Sequence, residues 1–366
     1  MSLSPRERVL TAVAHREPDR VPADGFFRPE VWERLFRHFG TQEEEQVRRH
    51  LGMDIVRAGI EPGHDFRARS HPSGATVSGL GSGSLQWAIP RGEGVYEDEI
   101  GSWKYLPPGG DYFSYVKHPL EEANRLEDYV FPDPTAEERY ENVAAVVAAW
   151  RADYPILVEQ TNFFKSAWEL RGFERLLMDL YDDPAFVDRL LDRVFAFKVE
   201  ESRQLARRGV DIISFAGDVA AQQGMMMNPA LWRRFFKPRL QSVIEAVRRE
   251  VPATRFFFHS DGDVSAIVGD IAEIGFDILD PVQPECMDPA WVKGEHGDRL
   301  TLHATISSQQ TLPHGTPEDV RREVRLRFET CGAGGGLILA PNNVVQDDVS
   351  TANLLALYDE AARCRY

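Results

Sequence analysis

The feature that most constrains this fold is a regular alternation of short β-branched runs with longer amphipathic segments from residue 154 onward. Such alternation is typical of a parallel sheet whose strands are joined by crossover helices. Strands are predicted at residues 20–23, 156–159, 210–215, 255–259, 276–282, 300–306 and 337–340. No Pro/Ser-rich linker interrupts the pattern, so we predict an α/β fold: one (β/α)8 TIM-type barrel domain over residues 1–366.

Start and stop signals define the helices between these strands. Thr135 with Glu138 resembles a capping box, and Thr316 stands before a proline and an acidic first turn. Helices are predicted at 173–207, broken at Pro184, and at 231–250. Residues 60–130 are rich in Gly, Pro, Ser and aromatic residues, notably at 79–84 and 103–108, and are predicted to form an irregular or β-hairpin insertion, an N-terminal elaboration of the barrel.

Charge and motif content exclude several classes of function. Acidic residues outnumber basic ones by 58 to 42, a net charge of −16 that would repel nucleic acid and anionic membrane surfaces. Three widely spaced cysteines and the lack of an apolar segment near Met1 favour a cytoplasmic protein without a membrane anchor. The glycines at 332–336 precede a strand rather than follow one, which argues against a Rossmann site, and kinase and serine-hydrolase motifs are missing.

Polar side chains stand where the predicted strands end. In a parallel barrel these ends meet at one mouth, where barrel enzymes place their active sites. The residues concerned are Glu159, Gln160, Asp218, His259, Asp261, Asp263, Asp280, Gln283, Cys286, His303, Asn342, Asn343 and Gln346. A barrel built for stability alone does not need so many, so the sequence predicts a site at this mouth.

Individual candidates carry two readings each. His259 follows three phenylalanines and suits metal binding or proton transfer, or it is a core histidine bonded to the next loop. Cys286 supplies a thiolate to the same metal or is a small buried apolar residue. Glu159 ends an apolar strand, where burial would raise its pKa for general-acid work or let it bind a cation. Asp218 and Asp280 are candidate acids, although Asp280 before proline is also a common turn former.

Several segments together resemble the uroporphyrinogen decarboxylase superfamily. They are SPRERVLTAVAHREPDRVP at 4–22, FHSDGD at 258–263, IGFDILDPVQ at 274–283, TLPHGTPE at 311–318 and GGGLILAP at 334–341. The order and spacing are similar over nearly the whole chain apart from residues 60–130. The resemblance implies a distorted (β/α)8 barrel with its cleft at the C-terminal ends of the strands, and it makes a homodimer the expected assembly.

The resemblance implies two chemistries. One is cofactor-free decarboxylation of uroporphyrinogen, and the other is zinc-dependent methyl transfer between corrinoid proteins and thiols or related acceptors. The decarboxylase strings Arg-Gln-Ala-Gly-Arg and Phe-Ser-Asp do not occur here. The methyltransferases carry a His-x-Cys pair and a later Cys; His259 matches the first ligand, Asp261 replaces the Cys, and Asn342 or Asn343 stands in the later region.

We therefore predict methyl transfer on a small-molecule substrate with a corrinoid protein as partner. His259, Glu159, Asp218 and Asp261 are the expected catalytic residues. The expected ligands of a divalent metal, with zinc the first candidate, are His259, Cys286 and Glu159, with Asp261 as the alternative to Glu159. A cofactor is expected to contact Gln283, Asn342 and Asn343.

Two alternatives remain open at the level of sequence. The first is decarboxylation of uroporphyrinogen or another tetrapyrrole, with Asp218 or Asp54 holding pyrrole N–H groups and Arg57, Arg67 and Arg69 binding carboxylates. The second is a tetrapyrrole- or corrinoid-binding module without catalysis. The first alternative predicts no metal, and the second predicts no turnover.

Overall fold

The computed structural model describes residues 2–72, 87–108, 113–122 and 125–366. The strands in these ranges are β1 (Val56–Ala58), β2 (His71–Pro72), β3 (Trp87–Gly92), β4 (Val95–Glu97), β5 (Trp103–Tyr105), β6 (Ser114–Lys117), β7 (Ile156–Thr161), β8 (Ile212–Ala216), β9 (Ala220–Ala221), β10 (Gly224–Met225), β11 (Arg255–His259), β12 (Ile278–Asp280), β13 (Thr301–His303) and β14 (Leu337–Ile338).

The helices of the same ranges are α1 (Pro5–Val13), α2 (Pro29–Phe39), α3 (Glu44–Leu51), α4 (His64–Arg69), α5 (Glu141–Trp150), α6 (Phe163–Arg171), α7 (Phe173–Asp182), α8 (Pro184–Arg207), α9 (Pro229–Phe235), α10 (Lys237–Glu250), α11 (Val268–Glu273), α12 (Pro289–His296), α13 (Thr311–His314), α14 (Pro317–Cys331) and α15 (Thr351–Ala361). Short 3-10 helices lie at Glu137–Tyr140 and Ser265–Ile267. None of the helices described here is long and apolar enough to cross a membrane.

A parallel sheet in the order β1-β7-β8-β11-β12-β13-β14 forms the centre of the molecule. Residues 22–24 join its two edges. Ala23 pairs in parallel with Leu339, just beyond β14, and the Ala23 carbonyl accepts a 2.7 Å hydrogen bond from the N–H of Asp54, just before β1. The sheet therefore curls into a barrel, and the predicted α/β barrel class is confirmed.

The barrel interior is filled by alternate residues of its strands. Because side chains alternate across a strand, one residue in two points inward. The interior cluster consists of Val9, Val13, Ile55, Leu157, Ile212, Phe257, Ile278 and Ile338. Val9 and Val13 come from α1, which covers the N-terminal end of the barrel. The opposite end, where the strands finish, is left for polar side chains.

The structure confirms the six strands predicted after residue 154 as parallel neighbours, with ends shifted by a few residues. Strand β1 was missed because it has three residues and no alternation to reveal it. Pro184 does separate α7 from α8, and Thr316 does cap α14 through a capping box with Asp319. The capping box predicted at Thr135 is wrong: this hydroxyl bonds Asp133 at 2.7 Å instead.

Within residues 60–130, strands β2 to β6 form an antiparallel sheet. It packs against α6, because the Ser102 hydroxyl donates to the Glu169 carbonyl at 2.7 Å and the Tyr115 hydroxyl donates to the Glu169 carboxylate at 2.6 Å. The glycine-rich stretch at 79–84 lies outside the described residues. The segment at 103–108 begins with strand β5.

Candidate active site at the barrel mouth

A cavity of about 530 Å³ opens at the C-terminal ends of the barrel strands. Its floor is formed by inward-facing residues such as Leu157, Ser214 and Phe257. The charged and amide side chains that line it are Asp24, Arg57, Glu159, Lys165, Asp218, His259, Asp261, Asp280, His303, Gln309, Asn342, Asn343, Gln346 and Asp348. The polar strand ends predicted from sequence thus contribute most of its chemistry.

Three of these side chains form a compact cluster. Asp218 follows β8, His259 ends β11 and Asp261 lies two residues later, and one potential ligand atom from each lies within 4.8 Å of the others. The backbone N–H of Asp261 donates to Asp218 Oδ1 at 2.9 Å. Asn343 Nδ2 donates to Asp261 Oδ2 at 2.7 Å. The other oxygen of Asp261 is buried and has no hydrogen-bond partner among the described residues.

Strand register places His259 beside a further polar group, the carboxylate of Asp280. On adjacent parallel strands, His259 pairs with Ala216 on one side and with Asp280 on the other. The His259 Nδ1–H donates to Asp280 Oδ2 at 2.5 Å. The other oxygen of Asp280 bonds Nδ1 of His303, which ends the next strand. With Nδ1 engaged by Asp280, Nε2 is the nitrogen of His259 left for the cavity.

The acidic surroundings change the titration of the cluster. Burial lowers the pKa of His259, but its hydrogen bond to Asp280 and the negative charges of Asp280, Asp261 and Asp218 raise it to about 10. Burial raises the pKa of Asp261, and although the charge of His259 lowers it, Asp218 and Asp280 help to bring it to about 6. The pKa of Asp280 is held well below its usual range by the two imidazoles, against the effect of burial.

The loop after β11 is held in shape by residues outside the cluster. Gly262 has φ +87°, and a Cβ there would lie 2.5 Å from the Ala221 carbonyl oxygen. Its N–H donates to Gln283 Oε1 at 3.2 Å. Gln283 is 3% exposed and is not among the lining residues, so the cofactor contact predicted for it is replaced by a role in supporting the loop.

The structure does not group the predicted metal ligands as expected. Cys286 sits in a turn six residues after β12 ends, lies outside the described lining of the cavity and packs partly against the core. Burial and the nearby charges of Glu285, Asp263 and Asp261 raise the pKa of its thiol, which disfavours the thiolate a metal needs. Asp218 and Asp261, not Cys286 and Glu159, stand with His259.

The expected burial of Glu159 is wrong, whereas the cofactor contact expected of Asn342 stays a prediction. Glu159 lines the cavity, but it is exposed rather than buried, because it faces the open mouth. Asn342 also lines the cavity, yet both ends of its amide are occupied: Oδ1 accepts from the N–H of Ser308 at 2.9 Å, and Nδ2 donates to Glu285 at 2.8 Å. Asn343, by contrast, reaches the cluster through Asp261.

Sequence reasoning missed Asp24 and misplaced Asp54. Asp24 lines the cavity and follows the segment that closes the barrel, so the rule applied to the other strand ends would have found it. It forms a bidentate pair with Arg57, at 2.9 and 2.6 Å. Asp54 is fully buried and bonds Arg8 at 2.7 Å and Arg20 at 2.9 Å, away from the cavity. Its proposed contact with pyrroles is therefore wrong.

Two arginines proposed for carboxylate binding lie elsewhere. Arg67 pairs with Glu61 at 2.7 Å, and neither Arg67 nor Arg69 is among the described residues that line the cavity.

The donor atoms of the cluster fit a divalent cation but not a thiolate-rich zinc centre. One imidazole and two carboxylates are ligands for Zn²⁺ and for harder ions such as Mn²⁺. Two carboxylates drawn together, with one buried oxygen lacking a partner among the described residues, favour a positive charge between them. His259, Asp218 and Asp261 are thus the residues that could hold the metal.

Comparison with known proteins identifies the family. The family model described as uroporphyrinogen decarboxylase (URO-D) matches residues 102–364. The chain belongs to the URO-D family. This match covers the strands β5 to β14 and all three residues of the cluster. Among solved structures, a methyltransferase from Methanosarcina mazei superposes with a TM-score of 0.69 at 19% identity, covering 99% of both chains. That likeness supports the barrel fold.

Curated relatives of this URO-D chain have both activities in their names. A methylcobamide:CoM methyltransferase, MtaA, of Methanosarcina barkeri is 30% identical over 179 residues, 49% of each chain. The chain therefore aligns with about half the length of this relative. A uroporphyrinogen decarboxylase of Alkalilimnicola ehrlichii is 26% identical over 361 residues, 92% of this chain and 88% of that one. These relatives are enzymes, and the choice between their activities rests on the site.

Proposed function

We propose that this URO-D chain is a methyltransferase that moves a methyl group between a corrinoid carried by a partner protein and a small-molecule thiol or related acceptor. The observation that carries the proposal is the cluster of Asp218, His259 and Asp261 at the barrel mouth. The similarity to a methylcobamide:CoM methyltransferase over half the chain supports it.

The charge of the cavity favours methyl transfer over decarboxylation of uroporphyrinogen. Among the described residues that line the cavity, six bear carboxylates, against four cationic groups: Arg57, Lys165 and the imidazoles of His259 and His303, whose pKa values are raised. Arg57 is already paired with Asp24. A substrate with many carboxylates would meet net repulsion in such a cavity, whereas a cation or a neutral thiol would not.

The chain's own groups suit the reaction of a thiol. A divalent cation held by the cluster would lower the pKa of a bound thiol. The attacking sulfur forms a bond to the methyl carbon while the cobalt–carbon bond breaks, and its electron pair stays on cobalt. Asp218, His259 and Asp261 would be occupied as ligands of the cation, so the thiol proton would leave to solvent through the mouth of the cavity.

Decarboxylation of uroporphyrinogen is the second candidate, because similarity to a uroporphyrinogen decarboxylase extends over 92% of the chain. In this candidate, the polar residues at the mouth bind the substrate, and the Asp218 carboxylate accepts hydrogen bonds from its pyrrole N–H groups. It uses no metal, so it predicts that removing divalent ions leaves turnover unchanged.

Parallel assays of the full chain separate these readings. Zn²⁺-supplied protein is incubated with methylcobalamin and a panel of thiols that includes CoM, and thioether products are measured by mass spectrometry; a second sample receives uroporphyrinogen. We expect thioether formation that falls roughly 100-fold or more in His259→Ala, while Cys286→Ser retains it. Loss of carbon dioxide from uroporphyrinogen without thioether would overturn the proposal, and cobalamin binding without turnover would favour a non-catalytic module.

A further inference from the structure

A chain of alternating charges runs along the wall of the cavity from His259 to Arg57. Asp280 Oδ2 accepts from His259 at 2.5 Å, and its Oδ1 bonds His303 Nδ1. His303 Nε2 lies 3.1 Å from Asp24 Oδ2. Asp24 is then held by both terminal nitrogens of Arg57. The order is therefore imidazole, carboxylate, imidazole, carboxylate and guanidinium, contributed by five different segments of the barrel.

Burial makes each link in this chain depend on the next. Asp24 is 0% exposed, His303 4% and Asp280 8%. A buried charge without a partner costs several kcal/mol, so removing one member leaves its neighbour destabilised. The register of the sheet produces the arrangement, because β11, β12 and β13 are neighbouring parallel strands that end in His259, Asp280 and His303.

The position of His303 determines its protonation. A carboxylate oxygen lies at each of its ring nitrogens, and ionised carboxylates accept hydrogen bonds but do not donate them. Both nitrogens of His303 must therefore donate, which makes the ring an imidazolium. Burial lowers the pKa of His303, but the charges of Asp280 and Asp24 and the hydrogen bonds to them raise it to about 9, in agreement with this geometry.

We propose that His303, anchored by Asp24 and Arg57, is a positioning residue that fixes the Asp280 carboxylate and thereby holds His259 with Nε2 directed into the cavity. His303 occupies one oxygen of Asp280 and neutralises part of its charge, so that the second oxygen is left in place for His259 Nδ1. Histidine ligands commonly donate their second nitrogen to a carboxylate, which sets their orientation. The proposal rests on the proposed function only in making His259 the centre of the site.

The first measurement uses the unmodified full chain without metal. With ¹⁵N-labelled histidine, His303 is expected to show two ring N–H signals protected from solvent exchange at pH 7, and His259 one protected Nδ1–H signal. Histidine-to-glutamine variants at each position assign these signals. A single N–H at His303, or no protected Nδ1–H at His259, in the spectrum of the unmodified chain would overturn the proposal; the variants serve only to assign the signals.

The second measurement uses His303→Gln, whose neutral amide can donate to Asp280 or to Asp24 but not to both. The His259 Nδ1–H signal should lose at least about tenfold of its exchange protection, and Zn²⁺ affinity should fall roughly 10- to 100-fold. The control is Thr301→Val on the same strand, where a buried hydroxyl has no hydrogen-bond partner among the described residues. The control should leave both quantities unchanged within twofold.

Asp24→Asn keeps the shape of the side chain and removes the carboxylate that holds His303 Nε2. It tests the positioning role of His303 if His303→Gln does not fold. Circular dichroism identifies the folded variants. A folded variant in which His259 keeps its protection and Zn²⁺ affinity stays within twofold of the parent would show that His303 is only a packing residue. If the parent binds no Zn²⁺, the metal assignment in the proposed function fails, while the exchange measurement still decides the positioning role.

Discussion

Asp261 carries a charge that the metal-free protein accommodates poorly. Its neighbours include Asp218 and Asp280, and burial together with these charges outweighs His259 and brings its pKa to about 6. An acid whose pKa is raised on folding binds a proton more tightly in the folded state. Ionised Asp261 therefore reduces folding stability above pH 6, and this penalty disappears as the pH falls towards the unfolded pKa near 4.

This balance predicts that Asp261→Asn stabilises the metal-free chain. At pH 8 the gain should be at most about 3 kcal/mol, because the amide can still accept from Asn343 and no longer repels Asp218. At pH 4 the parent carries a protonated Asp261, and the gain should vanish. Chemical denaturation of both proteins at the two pH values measures the difference, and an equal or larger gain at pH 4 would contradict the assigned repulsion.

At the residue scale, the sequence identified the polar residues of the site better than it identified which of them lie together. His259, Asp218 and Asp261 were all named as candidates, because polar residues after apolar strands are visible in one dimension. Cys286 was predicted as a metal ligand and Asp218 was not, because a sequence does not show that the chain turns away after β12 and takes the thiol out of the cavity. Distances between loops that follow different strands arise only in the folded barrel.

At the scale of elements, the loop after β11 is the part on which the cluster most depends. Asp261 donates its backbone N–H to Asp218, and the chain turns sharply at the next residue, Gly262, whose φ is +87°. Only glycine fits at this position, because a Cβ there would lie 2.5 Å from the carbonyl oxygen of Ala221 at the end of β9. Strand ends supply the chemical groups, and this loop brings them together.

Gly262→Ala should therefore disrupt the site more than the fold. A Cβ placed 2.5 Å from the Ala221 carbonyl forces the loop to move, and the positive φ adds strain. We expect Zn²⁺ affinity to fall at least about tenfold, with a loss of about 1–3 kcal/mol in stability. Gly224→Ala is the matched control, because it also has positive φ but no atom within 4 Å of its Cβ. Equal Zn²⁺ affinity in parent and Gly262→Ala would contradict the role of the loop.

Most strands of the barrel were predictable from sequence, whereas the closure of the sheet into a barrel by residues 22–24 was not. Strands β7, β8, β11 and β12 each contain a short apolar run that local pattern detects. These runs are Ile156–Val158, Ile212–Ile213, Phe256–Phe258 and Ile278–Leu279. Strand β1 has three residues, Val56–Ala58, and depends on pairing with β7 for its existence. Residues 22–24 form their barrel contacts with segments about 30 and 315 residues away, which no local signal encodes.

At the scale of the whole molecule, the charged cluster of Asp54 with Arg8 and Arg20 joins the N-terminal segment to the barrel. Asp54 bonds both arginines and the N–H of Ala23. Asp54→Asn should cost about 3 kcal/mol or more in stability, since it leaves two arginines without their buried partner. Zn²⁺ affinity should remain within twofold, because Asp54 lies outside the cavity lining. A large loss of affinity in the folded variant would place Asp54 in the site.

We also propose that residues 1–366 form one barrel domain with residues 60–130 as an insertion. The support is that the antiparallel sheet bonds α6 through Ser102 and Tyr115, while residues 22–24 close the barrel. Calorimetry should then show one cooperative unfolding transition for the whole chain. A separate early transition that disappears when the insertion is deleted would argue for two independent units.

The most direct test of this account is Zn²⁺ binding by the full chain after chelator treatment, measured by isothermal titration calorimetry. Asp218, His259 and Asp261 form one cluster, so we predict one bound ion per chain. Affinity should weaken at least about tenfold in Asp218→Asn and His259→Gln, and remain unchanged in Cys286→Ser. A chain that binds no ion, or one that loses binding in Cys286→Ser while keeping it in Asp218→Asn, would contradict the assignment of the site.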